Sequence, residues 1–191
     1  KVALITGAAR GQGRAHAIAM GGAGADIAAL DICHDLPYPR YSLANADDLE
    51  ETVRQVEALG RRALALKADV RSAGDMEAAV KTTIERFGQI DILVCNAGIA
   101  DMALTWDITE EWWDIMLDVN VKGPWLAIKY AVPHMIARNQ GGRILITSSV
   151  AGLRGEPGMS HYCASKWAVV GLAKSLAQEL SPYSITVNTL H

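Results

Sequence analysis

Cysteine is scarce in this chain, long apolar runs are absent, and positive charge is nowhere concentrated. The three cysteines, Cys33, Cys95 and Cys163, are odd in number and stand at no metal-ligand spacing. That argues against a disulfide framework or a thiolate metal cluster and predicts a reduced protein of the cytoplasm. No apolar run approaches the ~18 residues of a membrane-spanning helix, and the chain does not open on a signal-peptide pattern. The 18 basic and 21 acidic residues, net charge −3, are spread out, with no basic block beyond Arg61-Arg62. Neither nucleic acid nor an anionic membrane is therefore an expected partner. His34 has no second ligand at a suitable spacing, so no metal is expected. Internal repeats and linker-like segments are lacking too. A chain of 191 residues, 50% hydrophobic and 20% charged, is expected to form a single domain, 1–191, around one sizeable core.

What is present is an alternation of short apolar runs and longer amphipathic ones. Val2 to Ile5, Asp26 to Asp31, Ala63 to Lys67, Ile90 to Cys95, Arg143 to Thr147 and Ser184 to Thr189 read as strands. The first is apolar throughout, as in a strand buried on both faces of a parallel sheet. Helices are expected from about Gln12 to Gly22, from Asp47 to Leu59, from a cap at Ser72 to Phe87, from Thr109 through Val119, and along the run that carries Tyr162 and Lys166. This order predicts a Rossmann-type, doubly wound parallel α/β sheet with helices on both faces. Ligands of such sheets bind beyond the carboxyl ends of the strands, and Gly7, Asp31, Asp69, Asn96 and Ser149 all fall there.

Each strand end suggests a task. Thr6-Gly7-Ala8-Ala9-Arg10-Gly11-Gln12-Gly13 joins a buried strand to a helix, an arrangement that brings backbone N–H groups and a helix N-terminus to a pyrophosphate. Three glycines alone also describe a ligand-free turn. Asp31 closes the next strand at about the 20-residue spacing at which a carboxylate accepts both ribose hydroxyls of a dinucleotide. It would repel a 2′-phosphate, which favours NAD over NADP, although acidic residues at strand ends also cap helices. Asp69 is placed to hold an adenine amino group, with Val70 against the ring. Asn96-Ala97-Gly98 permits close backbone approach to the central riboses, and is equally the composition of a plain turn. Ile32 to Ala46 has prolines, tyrosines and no period. It is a loop that either folds over the adenine end or is a surface insertion.

Tyr162 and Lys166, four apart on a helix, share one face. A phenol titrates near pH ~10, and an ammonium at ~4 Å is worth about 4 kcal/mol at an effective dielectric of 20, roughly three pKa units. The pair is thus a candidate general acid/base for an alcohol oxygen. Ser149, rather than Ser148 by strand alternation, could hold that oxygen. Taken alone, the motif also fits a surface Tyr and Lys. Gly123-Pro124 interrupts the preceding helix at Asn120, and a kink there would aim Asn120 toward Lys166 through a water. The other reading of Asn120 is a tolerated surface residue.

Together the glycine turn, Asn96-Ala97-Gly98, Asn120, Ser149 and Tyr162-x-x-x-Lys166 resemble the short-chain dehydrogenase/reductase family over the whole chain. The resemblance implies hydride transfer between a nicotinamide and an alcohol or carbonyl carbon. It implies Tyr162 as acid/base, Lys166 as its activator and ribose ligand, Ser149 as the group orienting substrate, and Asn120 as holder of a relay water. It also implies a cofactor set that includes Arg10, Gln12, Ile32 and Ala97 beside the glycines and acids. Asn188 stands where the family's Val-Asn precedes a Pro-Gly segment, which does not follow here. The expectation is therefore a chain truncated at its C-terminal end, without the part that covers substrate. At a finer level, Thr6 to His16 and the insertion Asp31-Ile32-Cys33 to Pro39 resemble the mycofactocin-coupled, carveol-dehydrogenase-like branch. That branch implies tightly held NAD recycled by a separate redox partner.

Two other functions remain open on these residues: a 3-oxoacyl or steroid carbonyl reductase, and a non-enzymatic NAD-binding sensor or scaffold. The intact Tyr162, Lys166, Ser149 and Asn120 set argues against the last. The small and apolar segments 101–106 and 153–159 suggest a neutral hydrophobic alcohol. Trp167, Val169, Val170, Leu172 and Leu176, with Trp125 and Ile128, predict a helix-to-helix interface of a homotetramer.

Overall fold

A computed structural model describes residues 1–191. Its strands are β1 (Val2–Thr6), β2 (Asp26–Asp31), β3 (Ala63–Lys67), β4 (Ile92–Cys95), β5 (Gly142–Thr147) and β6 (Ile185–Leu190). The helices are α1 (Gly11–Gly22), α2 (Ala46–Glu57), α3 (Ala73–Phe87), α4 (Glu110–Leu117), α5 (Gly123–Arg138) and α6 (Ser160–Glu179). All six strands pair in parallel in the order β3-β2-β1-β4-β5-β6. The winding reverses between β1 and β4, the switch point at which doubly wound sheets open a crevice. The boundaries of the six strands and of α1 to α4 lie within two residues of those expected from sequence, whereas α5 is a separate helix for which no bounds were expected.

The period of two along the strands builds a core on each face. Val2 and Leu4 of β1 and Ala28 and Leu30 of β2 join a cluster of 30 buried residues with Met76 of α3, Leu126 and Met135 of α5 and Val169 of α6. Ala3, Ile5, Ile27 and Ala29 join a cluster of 13 with Ala17 of α1 and Leu49 and Val56 of α2. Each fully buried Leu or Ile of this kind is worth about 1.5–3 kcal/mol. Both strand faces are covered, which is why β1 shows no polar alternation.

Local chemistry sets the helix ends. Ser72 accepts the Asp75 N–H at 3.2 Å and Thr109 the Trp112 N–H at 3.1 Å, while Asn45 and Asp48 form a reciprocal capping box before α2. Between α4 and α5, Asp118–Lys122 is a turn of π-helix. Pro124 gives the reason: it has no N–H for the Asn120 carbonyl, and its ring would crowd that carbonyl in a continuous α-helix. The widened turn leaves Asn120 only 1% exposed, which disposes of its surface reading.

At the opposite end of the sheet, the buried Asp91 collects Lys1 Nζ (2.8 Å), the Val2 N–H (2.7 Å), Gln89 Nε2 (2.7 Å) and Arg138 Nη1 (2.5 Å). Burial alone would raise its pKa, but these donors hold the carboxyl well below the usual range. Val169 and Ile128, assigned to a subunit interface, lie in the larger core. Trp167 and Trp125 are exposed, and Val170, Leu172 and Leu176 are half-buried. No helix is long and apolar enough to cross a membrane.

Candidate active site

The carboxyl ends of the strands open on a cleft of about 690 Å³. Gly7, Arg10, Gly11, Gln12, Asp31, Ile32, Asp69, Val70, Asn96, Ala97, Gly98, Ser149, Tyr162 and Lys166 line it. Gly13 and Asn120 stand behind its wall.

The glycine turn depends on its glycines. Gly7 has φ +65°, and a Cβ at Gly13 would lie 2.0 Å from the Gly7 carbonyl oxygen. Asn96 braces the turn, its Nδ2 donating to the Thr6 and Gly7 carbonyls at 3.1 Å each. Thr6 Oγ1 in turn accepts the Asn96 and Ala97 N–H groups at 3.0 Å. At the start of α1, Arg10 offers no side-chain cap, and the first turn contains no acidic residue. The N–H groups and the positive end of the helix dipole are thus left to an anion, as a pyrophosphate site requires. Asp31, 7% exposed, accepts the Ala9 N–H at 3.0 Å on Oδ2. Its Oδ1 has only a 3.5 Å contact from the Cys33 N–H. Asp69 reaches the cleft, but Arg71 already grips its Oδ2 through Nε (2.9 Å) and Nη2 (2.7 Å). Burial raises the Asp69 pKa, yet the Arg71 bonds outweigh it and hold the carboxyl below its usual range. Any adenine contact must share the carboxylate with that guanidinium.

Across the cleft, Lys166 is 4% exposed. Its Nζ donates to the Thr147 carbonyl at 2.8 Å and lies 5.5 Å from the Tyr162 ring centroid. Burial pulls the ammonium pKa down to about 8. Ser148 is buried with its hydroxyl bonded to the Lys166 carbonyl at 3.2 Å. Ser149 accepts the Ala151 N–H at 3.2 Å, which leaves its hydroxyl hydrogen to donate. Asn120 differs from expectation in detail. Its carboxamide exchanges 2.9 Å bonds with the Ile99 N–H and carbonyl and donates to Ser165 Oγ at 3.0 Å. The side chain therefore locks the segment after Gly98, rather than reaching for Lys166. A phenol, an ammonium and a hydroxyl thus line one cleft, the set needed to bind an alcohol oxygen and move its proton.

The loop between β2 and α2 is not a loose surface insertion. Leu36, Tyr41, Leu43 and Ala44 line the cleft, and Arg10 Nη2 donates to the Ser42 carbonyl at 2.8 Å. The loop then extends beyond the cleft. Tyr38, fully buried, places its hydroxyl 2.6 Å from His161 Nε2 and stacks on Trp112 at 5.1 Å. Sequence reasoning missed Tyr38, His161, Arg40 and Asp101. Two prolines flanking a tyrosine hinted at an anchored loop, but the partner of the Tyr38 hydroxyl lies 123 residues away.

The model of the short chain dehydrogenase family matches residues 1–191. The (−)-trans-carveol dehydrogenase of Rhodococcus erythropolis is 47% identical over 192 residues, spanning 100% of this chain and 69% of that protein. Carveol dehydrogenase from Mycobacterium avium, solved with NAD, superposes with a TM-score of 0.97 at 42% identity, over 99% of this chain and 69% of that one. A short chain dehydrogenase from Mycobacterium paratuberculosis, bound to NAD, gives a TM-score of 0.98 at 46% identity, over 100% and 71%. The glycine turn, the tyrosine helix and the sheet that aligns them are those of this group of enzymes: the chain belongs to the short-chain dehydrogenase family.

Proposed function

We propose that the protein is an NAD-dependent oxidoreductase that interconverts a neutral, hydrophobic secondary alcohol of terpenoid type and its ketone. The single observation that carries this reading is the buried Lys166 ammonium beside Tyr162, at the end of the cleft away from the glycine turn and Asp31. NAD, when bound, supplies the carbon that accepts or returns the hydride. Gly7, Gly11 and Gly13, with Arg10 and Gln12, hold its pyrophosphate, and Asp31 and Ile32 hold the adenosine ribose. Asp69, Val70 and the Asn96-Ala97-Gly98 backbone flank the adenine and central riboses. Tyr162 takes the proton of the alcohol oxygen. Lys166 stabilises the phenolate form of Tyr162 that accepts this proton, and binds the nicotinamide ribose, while Ser149 donates to the same substrate oxygen. Because the Asn120 side chain is engaged elsewhere, its main-chain carbonyl, to which Pro124 offers no N–H, is the acceptor for the relay water.

The exposed apolar side chains Met102, Leu104 and Leu153, on the segments that follow β4 and β5, and the likeness to two carveol dehydrogenases support the substrate class. The loop covering the adenosine side supports slow exchange of NAD, with reoxidation by a mycofactocin-type redox partner. We further assign the protein to the cytoplasm and to a homotetramer joined through Trp125, Trp167, Val170, Leu172 and Leu176. Single-turnover reduction of protein-held NAD, followed by nicotinamide absorbance over a panel of alicyclic alcohols, polyols and hydroxyacyl thioesters, tests the substrate assignment. Reduction by the alicyclic alcohols is expected. Reduction by the thioesters alone would replace this reading with a 3-oxoacyl reductase.

A further inference from the structure

We propose that Tyr38, Arg40 and Tyr41 are positioning residues, which hold the substrate-side wall and the first turn of α6 in register with the cofactor cleft. The proposal rests on the oxidoreductase reading for its kinetic consequence, but not for its structural one. Leu36, Tyr41, Leu43 and Ala44 already line the cleft, while the polar groups of Tyr38, Arg40 and Tyr41 bond beyond the loop. The Tyr38 hydroxyl reaches His161, the residue immediately before Tyr162. Both are fully buried, and His161 Nδ1 has no partner. The Tyr38 hydroxyl is thus the imidazole's one polar contact, and without it a buried polar ring is left unsatisfied. Stacking of Tyr38 on Trp112, with 14° between the planes, ties α4 to the same point.

The second anchor lies two residues on. Arg40 meets Asp101 through Nε (3.0 Å) and Nη2 (2.9 Å), donates its backbone N–H to the same carboxylate at 3.0 Å, and reaches the Met102 carbonyl at 2.5 Å. The Tyr41 hydroxyl accepts the Ala100 N–H at 3.3 Å. A single exposed ion pair contributes little, but a bidentate pair reinforced by backbone bonds fixes geometry. Residues 100–102 continue the strand end at Asn96-Ala97-Gly98, with Ile99 and Ala100 in the cleft wall, and lead to the exposed apolar side chains of Met102 and Leu104. Their other flank, Ile99, is bonded to Asn120. One loop therefore clamps the wall beside the substrate and the helical turn that carries Tyr162.

The test uses the full-length protein and the variants Tyr38→Phe, Arg40→Met, His161→Gln and His161→Leu. Tyr38→Phe keeps the ring and its stacking and removes only the hydroxyl. Hydrogen exchange by mass spectrometry is expected to rise about tenfold in segments 36–44, 99–106 and 160–165 together in Tyr38→Phe and in Arg40→Met, as loss of a bond of this kind implies. With (−)-trans-carveol at saturating NAD, Tyr38→Phe is expected to lower kcat, through the Tyr162 turn, and Arg40→Met to raise KM, through the wall, each about tenfold. His161→Gln, whose amide can still receive the Tyr38 hydroxyl, is expected to retain kcat within about threefold, and His161→Leu to behave as Tyr38→Phe does. Faster exchange confined to 36–44, or in no segment, would overturn the clamp. Variants that show the coupled exchange, alongside a wild type that reduces NAD with no alcohol, would count against the proposed function alone.

Discussion

Replacing Lys166 with Met is expected to stabilise the NAD-free protein at neutral pH while abolishing its chemistry. The lysine is 4% exposed, and its pKa falls from 10.5 to about 8 through burial. A folded-state pKa below the unfolded one means that folding disfavours the charged form. Near pH 7 the ammonium therefore costs roughly 3 kcal/mol, taking 1.36 kcal/mol per pKa unit. The hydrogen bond to the Thr147 carbonyl returns about 1 kcal/mol of this. A Met of similar length then leaves a net gain of about 1–2 kcal/mol, a rise in Tm of roughly 2–8 °C for a protein of this size. The sign gives a second check. As pH climbs from about 8 toward 10.5, the wild-type lysine sheds its proton and regains stability, so the advantage of the variant should shrink by about 2 kcal/mol near pH 9.5. Thermal unfolding of both proteins at the two pH values is the assay. A Met variant that melts below wild type at pH 7, or a difference that does not change with pH, would refute the reasoning that the ammonium is held against its solvation for catalysis.

Other expectations follow from particular contacts. Asp91→Asn should cost about 2–4 kcal/mol by removing a buried carboxylate from its cations. Since that carboxyl titrates below its usual range, the deficit should be full above about pH 4 and vanish as acid protonates wild type, which urea titrations at several pH values would show. Gly13→Ala places a methyl against the Gly7 carbonyl and should cost about 1–3 kcal/mol, with loss of NAD binding measured by calorimetry. Asp31→Asn should leave the turn in place while narrowing the preference for NAD over NADP by about tenfold or more, read from kcat/KM with each cofactor.

The parts of the site that were legible in the sequence are those whose geometry is local. Strand, glycine turn and helix follow one another within residues 2–22, and the Tyr162–Lys166 spacing is a property of one helix. The uniformly apolar Val2 to Ile5 run announced a strand covered on both faces, from which the position of every strand end followed. What escaped was long-range pairing. Nothing near Tyr38 specifies His161, and Arg40 and Asp101 are 61 residues apart. Val169 and Ile128 were misassigned because an apolar stripe looks the same whether it meets the core or another subunit. The direction of the Asn120 side chain depends on a π-turn whose cause, Pro124, was visible but whose aim was not. The Arg71 grip on Asp69 is local, two residues away, and a carboxylate followed so closely by an arginine was a readable signal.

The chemistry turns on one hydroxyl. Tyr162→Phe in the full-length protein should keep NAD, by mass and absorbance, at wild-type occupancy, because the ring and the Lys166 contact survive. Single-turnover reduction of that NAD by an alicyclic alcohol that the wild type oxidises should fall by a factor of at least ~10². Undiminished turnover in a variant that still holds NAD would contradict the assignment of the proton transfer to Tyr162, and with it the mechanism built on the cleft.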